Sequence, residues 1–201
     1  MNCDIYRKAY LDDLAGVVQR TWHFEKDLDG PKDPLLLSRY YIKSCLIGSV
    51  HQDVVVEKGR AVGVLFGSDE RRGRLGRALQ FGWLGAGFFI QVLLGRLGGR
   101  RAAFRLIRDM GWMSRAGEAV EGYDSEVNLF ILDAETRGSG YGRALMDRYL
   151  AFCRRRGMKR VFLWTTPDCT YSFYDRYGFQ RIRTVQKDGK TALMIYAIEI
   201  Q

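Results

Sequence analysis

A short glycine-rich segment, Arg137-Gly-Ser-Gly-Tyr-Gly142, lies between an apolar stretch and an amphipathic one. The apolar stretch, residues 126–134, is typical of a strand, and residues 143–157 have the spacing of a helix. Backbone N–H groups of glycines at the start of a helix can bind a phosphate, because no Cβ blocks them and the helix end is partly positive. The segment therefore predicts an anion site.

A glycine loop of this length also occurs in structural turns and in other nucleotide-binding loops. A dinucleotide-binding loop would need an acidic residue at the end of the next strand, about 20 residues on. Here the loop follows the fourth or fifth predicted strand, and that acidic residue is absent from the sequence. A P-loop is excluded because no Gly-Lys-Ser/Thr follows. The loop alone leaves a structural turn and a phosphate site open.

A second motif makes the assignment more specific. Arg137, Gly140 and Gly142 match the pattern Arg/Gln-x-x-Gly-x-Gly/Ala, which GNAT acetyltransferases carry after a core strand. Tyr174 and Gly178-Phe179 match the Tyr-x-x-x-Gly-Phe pattern that follows it in that family. With both motifs in order, the chain resembles the GNAT N-acetyltransferases.

The resemblance covers Glu126 to about Arg183 well, whereas the opening strand, helix and hairpin fit loosely. It implies an α/β fold of the GNAT acyl-CoA N-acyltransferase type, with a mixed central sheet flanked by helices. It also implies an enzyme that moves acetyl from acetyl-CoA to a primary amine of a small molecule or protein by direct attack. The alternative is a catalytically silent acetyl-CoA-binding regulatory or interaction domain.

The resemblance also implies two catalytic residues. Glu126 stands at the spacing before Arg137 at which histone-type members carry a glutamate base, and burial beside apolar strands would raise its pKa. Asp124 or a residue of the N-terminal half is the alternative base, and a solvated strand end is the structural alternative for Glu126. Tyr174 resembles the family's general acid, which protonates the coenzyme A thiolate. Its structural alternative is aromatic packing with its neighbours Tyr171, Phe173 and Tyr177.

The resemblance also implies coenzyme contacts from the strand before the loop, whose backbone would bind the pantetheine arm and polarise the thioester carbonyl. The expected residues are Phe130, Ile131, Leu132, Arg137, Gly138, Ser139, Gly140, Tyr141, Gly142 and Arg143. Many relatives carry an asparagine seven residues before the tyrosine, but this chain has Pro167 there. At this position the chain departs from the family pattern.

The cysteines do not suggest a metal site. Cys3, Cys45, Cys153 and Cys169 form no Cys-x-x-Cys pair, and the two histidines, His23 and His51, do not cluster with them. We therefore expect no metal. Cys169 is expected to be inert rather than an acetyl-cysteine nucleophile, because no histidine lies near it in the sequence.

The elements around the motifs follow from apolar periodicity and breakers. The expected helices are 11–24, 36–47, 143–157 and the short 170–178. The expected strands are 4–10, a hairpin over 53–67 with its turn at Lys58-Gly59, then 126–134, 159–165, 179–185 and 191–200. A strand, helix, strand order after residue 126 predicts a parallel pair with a crossover helix.

A helical insertion, Asp69 to Gly122, separates the third and fourth expected strands. It holds nine arginines between Arg71 and Arg108 with no acidic residue among them, which accounts for the net charge of +9. Five glycines between Gly82 and Gly98 predict broken helices, and residues 100–113 an amphipathic one. A membrane span is rejected, because it would place strands of one sheet on opposite sides of a bilayer.

The insertion is expected to act as a lid or as a wall of the acceptor pocket. Its charge also suits an acidic acceptor, a nucleic acid or an anionic membrane surface, and its apolar residues suit a homodimer contact. The strongest expectation is an amine acceptor, and evidence for nucleic acid is weak. We expect residues 1–201 to form one domain, and the N-terminus, which lacks an apolar leader, predicts a cytoplasmic protein.

Overall fold

A computed structural model describes residues 2–28, 30–71, 74–118 and 122–200. The helices are α1 (Leu11–Trp22), α2 (Leu36–Leu46), α3 (Arg74–Leu93), α4 (Arg100–Glu118), α5 (Tyr141–Arg155) and α6 (Ser172–Tyr177). The strands are β1 (Asn2–Ile5), β2 (Ser49–Glu57), β3 (Arg60–Ser68), β4 (Ser125–Leu132), β5 (Arg160–Thr165), β6 (Gln180–Lys187) and β7 (Lys190–Glu199). Arg72, Gly73 and residues 119–121 of the expected insertion lie outside the described residues.

The strands form one seven-stranded sheet in the order β1-β2-β3-β4-β5-β7-β6. β4 and β5 are parallel and joined by α5, while every other neighbouring pair is antiparallel. The predicted mixed sheet, hairpin and crossover helix are therefore confirmed. The insertion also falls between the third and fourth strands, as expected.

The sheet is covered on both faces. On the α5 face, Tyr149 and Cys153 of α5 and Tyr174 of α6 pack against Val127, Leu163 and other strand residues. On the opposite α2 face, α1 and α2 cover β2 to β4. Further along that face, Ala116 of α4 packs against apolar residues of β5 and β7. Elements from both halves of the chain thus meet at the junction of β4 and β5.

Tyr149 fixes α5 to the start of β4. Its hydroxyl lies 2.6 Å from Ser125 Oγ and donates to the Glu126 carbonyl at 3.1 Å. The ring occupies the space above Gly67, where a Cβ would stand 2.1 Å from a ring carbon. Gly67 is required by this close approach rather than by its backbone angles.

The first strand is shorter than expected. β1 ends at Ile5, because the Asp4 carboxylate accepts hydrogen bonds from the Ile5 N–H and the Tyr10 hydroxyl and turns the chain into a 3₁₀ turn. The prediction of a strand over residues 4–10 was wrong beyond Ile5.

The prediction of broken helices rather than one rod is confirmed, since α3 and α4 are separate, but only the last two of the five glycines lie at the break. α3 runs without interruption through Gly82, Gly85 and Gly87, and the chain turns only at Gly95 and Gly98, both at positive φ. Packing offsets the low helix propensity of these glycines. The Phe88 ring lies 4.9 Å from the Tyr40 ring of α2, and Val92 joins a buried cluster with Leu28 and Leu37. Among the described helices, none is both long and apolar enough to cross a membrane.

Candidate functional site

The sheet opens between β4 and β5. These strands pair only at Ser125 with Val161 and Glu126 with Phe162. Beyond these two pairs a cleft of about 2220 Å³ separates them, lined by β4 up to Leu132 and by β5 up to Thr165. The opening connects the α5 face of the sheet with the α2 face.

A bulge in β4 shapes one edge of the cleft. The register against β3 passes from Val127 directly to Leu129, so that Asn128 is an extra residue in the strand. Val127 packs on the α5 face, whereas Leu129 and Ile131 pack on the α2 face. The bulge therefore reverses the alternation of side chains at the point where β5 departs.

The glycine loop closes the cleft on the α5 face. Gly138 and Gly140 have φ values of +82° and +86°, and Gly140 is the residue that caps α5. A Cβ added at either residue would meet no atom within 4 Å, so both border open space. Gly142 instead lies close to Leu132 and Phe130, which brings the first turn of α5 against β4. We call this part of the cleft, lined by the glycine loop and the first turn of α5, the cradle. The first N–H groups of a helix have no partner within the helix and can bind an anion.

The ten expected coenzyme residues are not all equally placed. Eight of them line the cleft: Phe130, Ile131, Leu132, Arg137, Gly138, Gly140, Gly142 and Arg143. Ser139 and Tyr141 are not among its lining residues. The Ser139 hydroxyl donates to the Thr136 carbonyl, and Tyr141 packs against the core of the α5 face. Side chains of these two residues therefore have structural contacts instead.

Tyr174 belongs both to the core and to the cleft. It is only 9% exposed, and its ring packs against the Phe179 and Tyr196 rings with centroids 5.8 and 5.6 Å apart. Gly178, at φ +110°, ends α6 and returns the chain so that Phe179 N–H donates to the Tyr174 carbonyl. Burial raises the pKa of the Tyr174 hydroxyl, and the nearby Cys169 and Tyr196 raise it further. The hydroxyl therefore keeps its proton throughout the neutral range.

Glu126 lines the same cleft from the α2 face. Burial raises the pKa of the Cys45 thiol to about 12, and the Glu126 carboxylate contributes to that rise. The carboxylate acts in the same direction on the pKa of Tyr41, where burial is again the largest cause. Glu126 thus lies beside α2, across the sheet opening from the helix that carries Tyr174.

Asp124, the alternative base, is not among the residues that line the cleft. Its carboxylate accepts the backbone N–H groups of Lys159 at 2.7 Å and Arg160 at 3.0 Å. Desolvation raises the pKa of Asp124, but these two hydrogen bonds and nearby arginines lower it by more. The structure assigns Asp124 to the joint between β4 and β5.

The sequence analysis did not identify most of the residues that line the cleft on the α2 face. Trp22, Phe24 and Tyr41 form an aromatic cluster there, with ring centroids 5.3 to 5.8 Å apart. Asn128 lines the cleft, and its amide nitrogen donates to the Cys45 carbonyl at 3.2 Å and to Ser49 Oγ at 3.3 Å. A polar residue within the apolar run of β4 was the one sequence signal for the bulge.

Cys169 also lines the cleft, with its Sγ 3.5 Å from Thr166 Oγ1. His23 is another lining residue. Within residues 2–28, 30–71, 74–118 and 122–200, no three histidine, cysteine or acidic side chains converge as a metal site would require.

The sequence profile of the acetyltransferase (GNAT) family matches residues 45–179. A stretch of 58 residues, 28% of this chain, is 41% identical to a mycothiol acetyltransferase of Geodermatophilus obscurus. The match spans only 19% of the length of that curated relative.

Solved structures share the fold at low sequence identity. Ard1 from Thermoplasma volcanium superimposes with a TM-score of 0.57 at 15% identity, over 100% of this chain and 97% of that one. An aminoglycoside 6'-N-acetyltransferase complexed with coenzyme A gives 0.59 at 10% identity, over 100% and 98%. The arrangement of strands and helices is therefore one that these two proteins also have.

Proposed function

Because the chain belongs to the GNAT acetyltransferase family, we propose that it transfers the acetyl group of acetyl-CoA to a primary amine by direct attack. The observation that carries the proposal is that one cleft is lined by the glycine loop, Tyr174 and Glu126. Acetyl-CoA supplies an acetyl group activated as a thioester. A coenzyme A complex of a structural neighbour supports this choice of cosubstrate.

The cradle at the start of α5 fits the pyrophosphate of the cosubstrate. Gly138 and Gly140 leave open space where any other residue would place a Cβ, and the helix end favours negative charge. Arg137 and Arg143 line the same end of the cleft and add positive charge. The backbone of Phe130 to Leu132, from which β5 has separated, would then bind the pantetheine arm as a strand partner would.

On the α2 face, Glu126 would take a proton from the amine and so make its nitrogen nucleophilic. A backbone N–H at the β4 bulge would stabilise negative charge as it develops on the carbonyl oxygen. When the carbon–sulfur bond breaks, Tyr174 would donate its proton to the departing thiolate. Cys169 has no role in this scheme, since the amine attacks the thioester itself.

A titration calorimeter and an assay of thiol release test the proposal together. Acetyl-CoA is expected to bind with micromolar affinity, and addition of amines is expected to release coenzyme A. Absence of acetyl-CoA binding would contradict the proposal. Binding without release by any amine, alkyl, aromatic or peptidyl, would favour the second candidate, a catalytically silent acetyl-CoA-binding domain.

Replacing the proposed base changes the pH dependence. In Glu126→Gln, kcat/KM for the amine is expected to fall about 100-fold at neutral pH, because the amine keeps its proton. The deficit is expected to shrink as pH rises, since the amine then loses its proton to solvent. Rate profiles from pH 6 to pH 10 measure both effects.

Asp124→Asn is the matched control for Glu126→Gln. It is expected to lower the melting temperature while kcat/KM keeps its wild-type pH profile, because Asp124 holds two backbone N–H groups outside the cleft. If Asp124→Asn flattened the pH profile and Glu126→Gln did not, the base would be Asp124.

A further inference from the structure

The insertion forms one wall of the cleft on the α2 face. Phe81 of α3 and Leu106, Ile107 and Met113 of α4 line it. Phe81 is 47% exposed, so that its ring offers an apolar surface to whatever enters. This wall faces the space beside Glu126 rather than the glycine loop, because α4 lies on the α2 face of the sheet.

A second apolar wall is the aromatic cluster of Trp22, Phe24 and Tyr41. Two ion pairs occupy the edges of the same region. Arg77 contacts Glu70 at 2.7 and 3.2 Å, and Arg20 pairs with Asp133. The cations of these walls are thus matched by carboxylates, which leaves a largely apolar surface around Glu126.

Asn128 provides a polar group in that apolar region. Its Oδ1 is buried and has no hydrogen-bond partner among the described residues, although its amide nitrogen is bonded. A buried acceptor of this kind gains when a ligand donates an N–H to it. Glu126, two residues earlier in β4, is also an acceptor when ionised. The two oxygens suit a ligand that brings N–H donors and positive charge.

We propose that the acceptor is a primary amine carried on an apolar alkyl or aromatic body. The amino group donates to Asn128 Oδ1, and the body packs against Phe81, Ile107 and the aromatic cluster. The cleft of about 2220 Å³ has room for both substrates, since single ligand pockets are commonly about 300–1,000 Å³. This inference rests on the proposed function and names its substrate class.

The test compares 2-phenylethylamine and octylamine with ethanolamine and a lysine-containing peptide. The apolar amines are expected to have kcat/KM values at least about 10-fold higher. Phe81→Ser is expected to remove most of that preference, and Asn128→Leu to raise KM for every amine, with acetyl-CoA affinity unchanged in both. Trp83→Ser is the matched control, because Trp83 is another large apolar residue of α3 that does not line the cleft.

The outcomes separate this inference from the proposed function. If acetyl-CoA does not bind, the function fails and the inference falls with it. If acetyl-CoA binds and polar amines are preferred, or Phe81→Ser keeps the preference, only the inference is overturned. If no amine is acetylated, titration of 2-phenylethylamine into the protein with coenzyme A decides the matter. Binding that Asn128→Leu weakens supports the site, and absence of binding overturns it.

A different observation concerns the outer side of α3. Leu75, Leu79, Trp83 and Ile90 are 77%, 63%, 82% and 53% exposed. At 100° per residue they lie within about 80° of one another around the helix axis. Phe89 and Leu93, also exposed, lie beside them. The helix therefore carries an apolar stripe about 30 Å long on the side opposite Arg77 and Phe88.

Exposed arginines accompany this stripe, and the acid that follows them in the sequence, Asp109, pairs with Arg108 and Lys187. The sequence has no charged residue from Ala78 to Gly95 and then exposes Arg96, Arg100, Arg101, Arg105 and Arg108. On α4 the exposed Phe104 lies 6.1 Å from Phe89, centroid to centroid. Arg100 and Arg108 stand four residues before and after Phe104, on the same side of α4. Aromatic and basic groups thus form one continuous outer surface.

The charge of this surface distinguishes between two kinds of partner, a second copy of the chain and a lipid bilayer. If a second copy docked through the same surface about a two-fold axis, its arginines would approach these arginines. An anionic lipid bilayer offers phosphates to the arginines and an apolar boundary to the stripe. The geometry points to α3 lying in the plane of an anionic bilayer, with Trp83 at the headgroup boundary.

Sedimentation with phosphatidylcholine vesicles, with and without phosphatidylglycerol, tests the surface. Binding is expected to need the anionic lipid, to weaken with sodium chloride, and to fall at least about 10-fold in the double variant Leu79→Ser/Trp83→Ser. Ile5→Ser is the control, since Ile5 is an exposed apolar residue of β1. Equal sedimentation with neutral vesicles, or equal loss in Ile5→Ser, would overturn the inference. So would a dimer in analytical ultracentrifugation that the double variant dissociates, because a second copy would then cover the stripe.

Discussion

Gly140→Glu is expected to abolish acetyl-CoA binding, with a loss of at least about 100-fold in affinity, or about 2.7 kcal/mol. Gly140 has φ +86° and borders open space at the start of α5. A glutamate there would fill the cradle and bring a negative charge against the pyrophosphate. Titration calorimetry with acetyl-CoA measures the loss, and thermal unfolding reports whether the fold is retained.

Gly157→Glu is the matched control for this change. Gly157 also has positive φ, at +66°, and a Cβ there would meet no atom within 4 Å. Both substitutions therefore cause similar backbone strain, about 1–2 kcal/mol for an L-residue in the left-handed region. Only Gly140 lies at the cradle, since Gly157 follows the far end of α5. Equal acetyl-CoA affinities in the two variants would show that the glycine loop does not bind the pyrophosphate.

Tyr174→Phe is expected to lower kcat about 100- to 1,000-fold while acetyl-CoA affinity stays within about twofold of the wild type. The substitution keeps the ring packing against Phe179 and Tyr196 and removes only the hydroxyl. Because burial raises the pKa of Tyr174, the acid form persists below that raised value. No alkaline loss of activity from this group is therefore expected up to about pH 10, the ordinary tyrosine value.

Tyr177→Phe controls for loss of a hydroxyl on the same helix. Tyr177 donates to the Asp147 carboxylate and does not line the cleft, so its removal is expected to leave kcat unchanged. Single-turnover experiments separate chemistry from product release. A Tyr174→Phe enzyme with wild-type single-turnover rates would place the general acid elsewhere.

The elements around the glycine loop were predictable because their signals are local. The loop, α5 and the turn after Tyr174 each depend on residues that are neighbours in sequence, such as Gly140 and Gly178. The predictions failed where contacts between residues distant in sequence determine the structure. α3 continues through Gly85 because Phe88 and Val92 pack against α2 and its surroundings, and propensity alone does not contain that contribution.

The residues that line the cleft on the α2 face could not be predicted, because they too are distant from one another in the sequence. Trp22 and Phe24 reach the cleft from the end of α1, about 100 residues before Glu126 in the chain. The bulge at Asn128 depends on the register of β3, since an extra residue is defined only relative to its partner strand. The sequence shows a polar residue in an apolar run but does not show which residues it contacts.

The separation of β4 from β5 has a thermodynamic consequence. Strands β1 to β4 and strands β5 to β7 are two blocks of the sheet, joined by two residue pairs and by the hydrogen bonds of Asp124 with Lys159 and Arg160. A cosubstrate that fills the gap would contact both blocks at once and only in the folded state. Its free concentration would then be linked to folding, and a hundredfold excess over Kd would add about 2.7 kcal/mol to the free energy of unfolding. The lifetime of the protein in a cell would thus follow the supply of acetyl-CoA.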